Sequence, residues 1–331
     1  MSFRRACRHL LTVLLLLGAF IFVNNTNLFA RRPPGRPLLL AHRGIAQRFP
    51  MNDIQSDTCT ASRIFPPTHP FLENTIASMR AAFAIGADVV EFDLQPTTDG
   101  QFAVFHDWSV DCRTDGKGVT RTYSMAALRA LDIGHGYTPD GAAFPFRGKG
   151  VGLMPTLDEV LETFPDRDFL VHVKSNDPHE GERLAARLAQ LPLERRRHLM
   201  VYGASTPINV VRAALPDVRT LSGASVKACL LRYVASGWTG VVPAACRDTL
   251  LVIPSDYAPW LWGWPNRFLN RMDAVGTRVF LQGERHGNWS TGVDTAEQFA
   301  RLPAGYSGGI WTDRIEVIAP IAKPSRKDTF P

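Results

Sequence analysis

The sequence predicts an α/β protein, a (β/α)8 barrel with loop insertions at the C-terminal face of its strands. Three observations predict it. Short apolar strands alternate with helical stretches from residue 38 onward, about eight such strands can be read off, and polar residues recur at their C-terminal ends. No Gly-x-Gly-x-x-Gly or Walker loop follows any strand, which removes the usual reason to prefer an open nucleotide-binding sheet.

Leu38–His42 reads as the first strand. After a long insertion, a helix is expected over Asn74–Ile85, ended by Gly86. Asp88–Gln95 and Phe102–His106 form the next strand and an extension, turning at Thr98-Asp99-Gly100. Thr156 and Glu159 have capping-box spacing, and Leu157, Val160, Leu161 and Phe164 make the buried stripe of the helix they open. Phe169–Lys174 is again a strand, Glu182–Leu191 a helix, His198–Tyr202 a strand and Pro207–Leu215 a helix. Further strands are expected at Arg219–Ser222, Leu250–Pro254, Arg278–Leu281 and Gly309–Thr312.

The formal charge of +6 is local. Residues 1–37 hold six arginines and no acid, and without them the basic and acidic residues balance at 31 each. A balanced body carries no electrostatic footprint for nucleic acid. Arg4, Arg5 and Arg8 precede a charge-free run, Leu10–Val23, as the n-region and apolar h-region of an export signal do. That run falls short of the roughly 20 residues that span a bilayer, and extending it crosses the polar block Asn24–Asn27. Residues 1–37 therefore read as a signal or membrane anchor followed by a Pro/Arg linker, and residues 38–331 as one barrel domain, periplasmic or extracellular, tethered or secreted. Cys59, Cys112, Cys229 and Cys246 suit an exported chain; proximity favours Cys59–Cys112 and Cys229–Cys246, with free thiols as the alternative.

Chemistry concentrates at strand ends. Alternation puts Leu38, Leu40 and His42 on one face, so an apolar strand finishes with an imidazole in the barrel mouth. Glu91 and Asp93 are two residues apart and face the same way inside an apolar strand, where paired carboxylates repel unless a cation or proton lies between them. A divalent metal resolves this, and hard oxygen ligands suit Mg²⁺ or Ca²⁺. His106 also terminates an extended segment, and with His42 makes a candidate base and acid for cleaving a P–O ester. Arg43 and Lys174 are candidates to hold the phosphate oxygens.

In order and spacing, His42-Arg43-Gly44, Glu73-Asn74-Thr75, Glu91-Phe92-Asp93, His106-Asp107 and Pro155-Thr156-Leu157 resemble the glycerophosphodiester phosphodiesterase family. Gly309-Ile310-Trp311-Thr312-Asp313-Arg314 resembles its closing strand, and the likeness runs over residues 38–318. The resemblance implies a (β/α)8 barrel that hydrolyses glycerophosphodiesters, or lysophospholipids, to glycerol 3-phosphate, or a lipid phosphate, and an alcohol. It makes His42 and His106 the acid/base pair, Glu91 and Asp93 metal ligands, and Glu73 an active-site carboxylate. Arg43, Lys174 and Trp311 become substrate contacts.

Two features depart from the pattern. The family's Glu-x-Lys on the third strand reads His172-Val173-Lys174 here, so His172 takes the third ligand's place. Imidazole moves preference from Mg²⁺ or Ca²⁺ toward Mn²⁺ or Co²⁺. Ile45–Pro70 is inserted where the family has a short loop, and with the glycine-rich Asp111–Gly150 it borders the mouth as a lid that a disulfide would pin. The competing readings are a phospholipase D-like lyase acting on lysolipid or sphingolipid head groups, and a membrane-tethered binding protein whose His172 marks a lost metal.

Overall fold

The computed structural model describes residues 3–55, 58–286 and 289–323. Its strands are β1 (Leu38–His42), β2 (Val89–Pro96), β3 (Phe102–Val104), β4 (Asp168–Val173), β5 (Leu199–Gly203), β6 (Arg219–Ser222), β7 (Leu250–Pro254), β8 (Arg278–Gln282), β9 (Arg285–His286), β10 (Trp289–Ser290) and β11 (Gly309–Thr312). Its α-helices are α1 (Phe3–Asn25), α2 (Ile76–Ile85), α3 (Met125–Ala130), α4 (Leu157–Thr163), α5 (Pro178–Ala189), α6 (Leu193–Arg196), α7 (Ser205–Ala214), α8 (Gly223–Ser236), α9 (Asn266–Asp273), α10 (Ala296–Ala300) and α11 (Ile315–Ala322).

Parallel strands run in the order β6-β5-β4-β2-β1-β11-β8-β7, and β3 pairs antiparallel with β2 beside that path. β6 and β7 lie at its two ends and share no ladder among the described residues. Across the gap the Thr249 hydroxyl donates to the Thr220 carbonyl at 2.7 Å. The expected barrel is thus closed except for one seam.

Alternation along the strands sorts the core into two shells. Leu40, Val89, Leu170, Met200, Leu221, Leu250, Phe280 and Trp311 fill the barrel interior. The alternate residues, among them Leu39, Ala41, Val90, Phe92, Phe169 and Val171, face the surrounding helices. On β1, β2, β4 and β5 the interior column turns polar one step later, at His42, Glu91, His172 and Tyr202, and that upper layer is the candidate site.

Helix starts follow local chemistry. Asn74 adopts a left-handed conformation (φ 59°), so α2 begins only at Ile76, capped by the Thr75 side chain accepting from Ser78 N. The capping box at Thr156 and Glu159 is present. α5 begins before the expected Glu182, because Asp177 caps it and Pro178 occupies its first position.

A second apolar cluster, including Ala61, Ile64, Leu72, Phe105, Val110, Met125, Leu128, Tyr137 and Phe146, joins the 45–70 insertion to the 111–150 loop. Backbone bonds from Ile64 N to Thr138 O (3.2 Å) and from Thr138 N to Ala61 O (2.9 Å) stitch the two together. The Cys59–Cys112 disulfide crosses the same junction, and Cys229–Cys246 links α8 to the chain before β7. The long loops are therefore a small lobe with its own core, seated on the barrel mouth.

The N-terminal helix is longer than its apolar run suggested. α1 continues through Asn24 and Asn25, and Cys7–Asn25 is long and apolar enough to cross a membrane. The polar block that interrupts the run is a docking surface. Asn24 and Asn25 side chains both donate to Trp238 O at 2.9 Å, Arg271 donates to Asn25 Oδ1 (3.0 Å) and Asn24 O (2.8 Å), and Arg267 donates to Thr26 O (2.7 Å). Arg267 and Arg271 of α9 thus meet the orphan carbonyls at the end of α1. The following Pro/Arg stretch is irregular, as expected of a linker, but tied down: Arg36 forms a two-pronged pair with Asp88 at 2.9 and 3.0 Å.

Candidate active site

Strand register assembles the upper layer. His42 is opposite Glu91, and Asp93 is opposite His172, which is opposite Tyr202. Residues distant in sequence thereby share one ring at the C-terminal strand ends. Their backbone positions are set by the ladder itself.

Glu91 and Asp93 are fully buried, as two carboxylates on one apolar strand require. They are not equivalent. Asp93 receives His172 Nδ1 at 2.8 Å and Asn74 Nδ2 at 3.0 Å, with Arg43 Nε at 3.3 Å and Lys174 Nζ at 3.5 Å. Burial opposes its ionisation, but Lys174, His106 and Arg43 overcome that and hold its pKa well below the usual range. Glu91 accepts from Tyr202 OH at 2.7 Å and from Arg43 N at 3.2 Å. Burial, and then the charge of Asp93, push its pKa up to about 7.

Each candidate catalytic imidazole is oriented by a carboxylate. His42 Nδ1 lies 2.5 Å from Asp313 Oδ1, its Nε2 is 3.7 Å from Glu91, and its ring rests 5.1 Å from that of Trp311. Burial and Arg43 oppose the charged form, yet Asp313 and Glu91 prevail, so the pKa of His42 is raised. His106 Nδ1 lies 2.6 Å from Asp107 Oδ1. There burial and Arg43 outweigh Asp93 and Asp107, and the pKa falls to about 4. Opposed shifts of this kind separate a proton donor from a proton acceptor.

Arg43 has a left-handed backbone (φ 58°), which turns its chain back over the acids. Gly44, the next residue (φ 77°), admits no Cβ, because one would run into the side chain and backbone of Ser78. The His42-Arg43-Gly44 turn is thus shaped by α2 packing against it. Arg43 pairs with Glu73 at 3.0 Å, and Glu73 also meets Arg113 at 3.3 Å. Burial disfavours ionised Glu73, but Arg113 and Arg43 lower its pKa. Clamped between two guanidiniums, Glu73 supports Arg43.

Glu91, Asp93 and His172 have one donor atom each within 4.8 Å of the others. Two oxygens on opposite sides of an ion at about 2.4 Å would be about that far apart, so the group suits one divalent cation. Glu91, costly to ionise where it stands, is the carboxylate that such an ion would relieve. His172 stacks on Tyr202 at 4.1 Å, and burial brings its pKa down to about 4, the neutral form a ligand needs.

His42, Arg43, Glu73, His106 and Lys174 all line one cavity of 810 Å³, whose outer wall comes from the lobe. Trp311 is placed differently. It is 5% exposed, belongs to the interior core and supports the rings of His42 and Tyr202 from below.

Several residues at the site carry no assignment from sequence: Asp313, Asp294, Tyr202 and Arg113. Tyr202 was within reach, because strand alternation in Leu199–Gly203 puts it on the interior face with Met200. Arg113 comes from an aperiodic loop, where only its neighbour Cys112 signals proximity to the insertion. Its guanidinium is buried, 2.9 Å from Asp107 and 3.3 Å from Glu73, and it donates to Thr60 Oγ1 at 2.8 Å.

Fold and site together define a parallel α/β barrel with an imidazole–carboxylate centre in its mouth, the layout of a barrel enzyme. A sequence model of the glycerophosphoryl diester phosphodiesterase family matches residues 42–220, more than half of the chain. The chain belongs to that family. A glycerophosphodiester phosphodiesterase of Caldanaerobacter subterraneus subsp. tengcongensis is 32% identical over 139 residues, 42% of this chain and 45% of that protein. One from Bacillus subtilis is 34% identical over 161 residues, 47% of this chain and 46% of that protein. The chain thus spans about half the length of these curated relatives. Among solved structures, the glycerophosphoryl diester phosphodiesterase domain of a Mycobacterium tuberculosis protein superposes with a TM-score of 0.60 at 15% identity, covering 87% of this chain and 99% of that one. An Oleispira antarctica phosphodiesterase, solved with its product sn-glycerol-3-phosphate, gives a TM-score of 0.54 at 19% identity, covering 86% and 97%.

Proposed function

We propose that the protein is a metal-dependent phosphodiesterase that hydrolyses glycerophosphodiesters to glycerol 3-phosphate and an alcohol, on the outer side of a membrane. The observation that carries this reading is the meeting, in one cavity, of His42 and His106, each held by a carboxylate, beside the buried Glu91–Asp93–His172 group. Family membership supports the substrate class. The exposed, apolar α1 and the two disulfides support export, with α1 as signal or anchor.

Glu91, Asp93 and His172 would hold the divalent ion, which when bound polarises the phosphoryl oxygens and offsets the carboxylate charge. Lys174 and Arg43 bind the remaining phosphate charge in a water-poor site. His106, neutral and with Nδ1–H donated to Asp107, has Nε2 free to take the proton of the attacking water. His42, with Nδ1–H donated to Asp313 and its charged form favoured, gives the Nε2 proton to the departing alcohol oxygen.

The test uses purified protein, glycerophosphocholine and phosphorus NMR of the products. Chelation is expected to abolish turnover, and His42→Ala or His106→Ala to lower kcat about 10²–10⁴-fold. Activity should return better with Mn²⁺ or Co²⁺ than with Mg²⁺ or Ca²⁺, and His172→Glu should reverse that order. Full activity in excess chelator would remove the metal from the reading. A cyclic phosphate as final product would replace hydrolysis with intramolecular transfer.

A further inference from the structure

α1 is tied to one end of the barrel. α8 leaves the C-terminal end of β6, and its 14 residues run about 20 Å down the barrel wall before the chain turns at Gly237–Thr239. That turn therefore lies at the end opposite the mouth, and it is the turn that α1 reaches. Asn24 and Asn25 both donate to Trp238 O, and the ring of Phe20 meets that of Trp238 edge-on at 6.4 Å. The linker keeps to the same end. Asn270, low on α9, donates to Arg31 O (2.7 Å), Arg32 donates to Ala304 O (3.0 Å) ahead of β11, and Arg36 pairs with Asp88 at the foot of β2.

A segment destined for removal needs no such fit. Cutting it away would strip Arg267 and Arg271 of the carbonyls of Val23, Asn24 and Thr26, and Trp264 O of the Asn27 amide. From Cys7 to Phe20 the helix is exposed at every residue, so it projects from the barrel instead of packing along it. Cys7–Asn25 is 19 residues, about 28 Å of helix against a hydrocarbon core of about 30 Å. A crossing uses all of it, which leaves the end of α1 at the membrane surface. Phe20 lies about 7 Å before that end. A ring that touches Phe20 is therefore at the depth of the interface, where tryptophan is favoured. Val241, 63% exposed, follows Gly240, which lies against the Asn24 side chain. Leu28 and Phe29, 77% and 68% exposed, follow α1 directly. Large apolar side chains thus surround the exit of α1, and the bilayer that α1 enters is what would cover them.

We propose that α1 is a retained anchor and that the base of the barrel, at Trp238, Val241, Leu28 and Phe29, sits in the interface of the bilayer that α1 crosses. The mouth then opens away from that bilayer, a barrel's depth above it. Arg4, Arg5 and Arg8, ahead of the apolar run, put the N-terminus on the cytoplasmic side, so the mouth faces the outer aqueous space. A water-soluble diester reaches His42 and His106 directly, whereas a lipid of the same membrane must leave it first. The seat does not depend on which reaction the site performs.

The experiment uses the full chain in phosphatidylcholine/phosphatidylglycerol vesicles whose acyl chains carry bromine near the head group, a shallow quencher of tryptophan fluorescence. Trp238→Phe should lower the quenching by about twofold or more, and Trp108→Phe, at the mouth, should leave it unchanged. Quenching untouched by Trp238→Phe would overturn the seat. Quenching lost in Trp108→Phe would overturn it too, by turning the mouth to the bilayer. Val241→Asp reads the same face with every tryptophan in place: a charge there should lift the base and lower the quenching by about twofold, and an unaltered signal would count against the seat. The mass of the membrane-extracted protein should include α1, and a mass without it would overturn the anchor. A cross-linked dimer in place of quenching would give the face to a second copy and overturn the seat.

Discussion

His42 titrates in the field of Asp313, and that pairing sets a testable pH dependence. If His42 is the proton donor, activity falls as pH rises through its pKa, so the alkaline limb of the kcat profile belongs to it. Asp313 raises that pKa. Asp313→Asn removes a full negative charge beside Nδ1, the pKa drops, and the limb should move to lower pH, with kcat down about tenfold or more. An unmoved limb would assign His42 another task. The positions proposed for catalysis, metal and phosphate, His42, Glu91, Asp93, His106 and Lys174, were legible because strand alternation and strand-end placement are properties of the chain itself. Asp313 follows the closing strand by the same logic, and barrel closure sets that strand beside the first, but the register of β11 against β1, which brings Asp313 to His42, is not given by sequence.

At the level of elements, the barrel strands were readable and the lobe was not. β1, β6, β7 and β11 fall where apolar runs end in turn signals. α8 turns Val226, Cys229, Leu230 and Tyr233 to the core at helical spacing, but the exposed Leu231 and Val234 on its outer face blur that stripe in sequence. The lobe is held by contacts between two loops far apart in the chain, and neither has a period. Cysteine pairing was the one readable trace of it. Cys59–Cys112 closes a separation of 53 residues, worth about 4 kcal/mol in the loop-entropy account. Cys112 directly precedes Arg113, which grips both Asp107 and Glu73. Cys59→Ser/Cys112→Ser should therefore lower the denaturation midpoint and, below that midpoint, also lower kcat, because Arg113 loses its fixed origin. A variant destabilised but fully active when folded would show that the buried ion pairs alone hold Arg113.

For the whole molecule, the seam between β6 and β7 matters most. A closed barrel has no free strand edge, but here the edges are joined by the Thr249–Thr220 bond in place of a ladder. Local opening should begin there, so backbone amides of β6 and β7 are expected to exchange with deuterium before those of β1, β2 and β4. Equal protection around the ring would show the seam to be no weaker than the rest. Cys229–Cys246 spans the β6–β7 connection with a separation of 17 residues. It limits how far the seam can part. Two parted parallel edges are templates for pairing with another chain, so this disulfide guards against aggregation as much as against unfolding. In Cys229→Ser/Cys246→Ser, clumping on mild warming should set in while the rest of the barrel still keeps its amide protection.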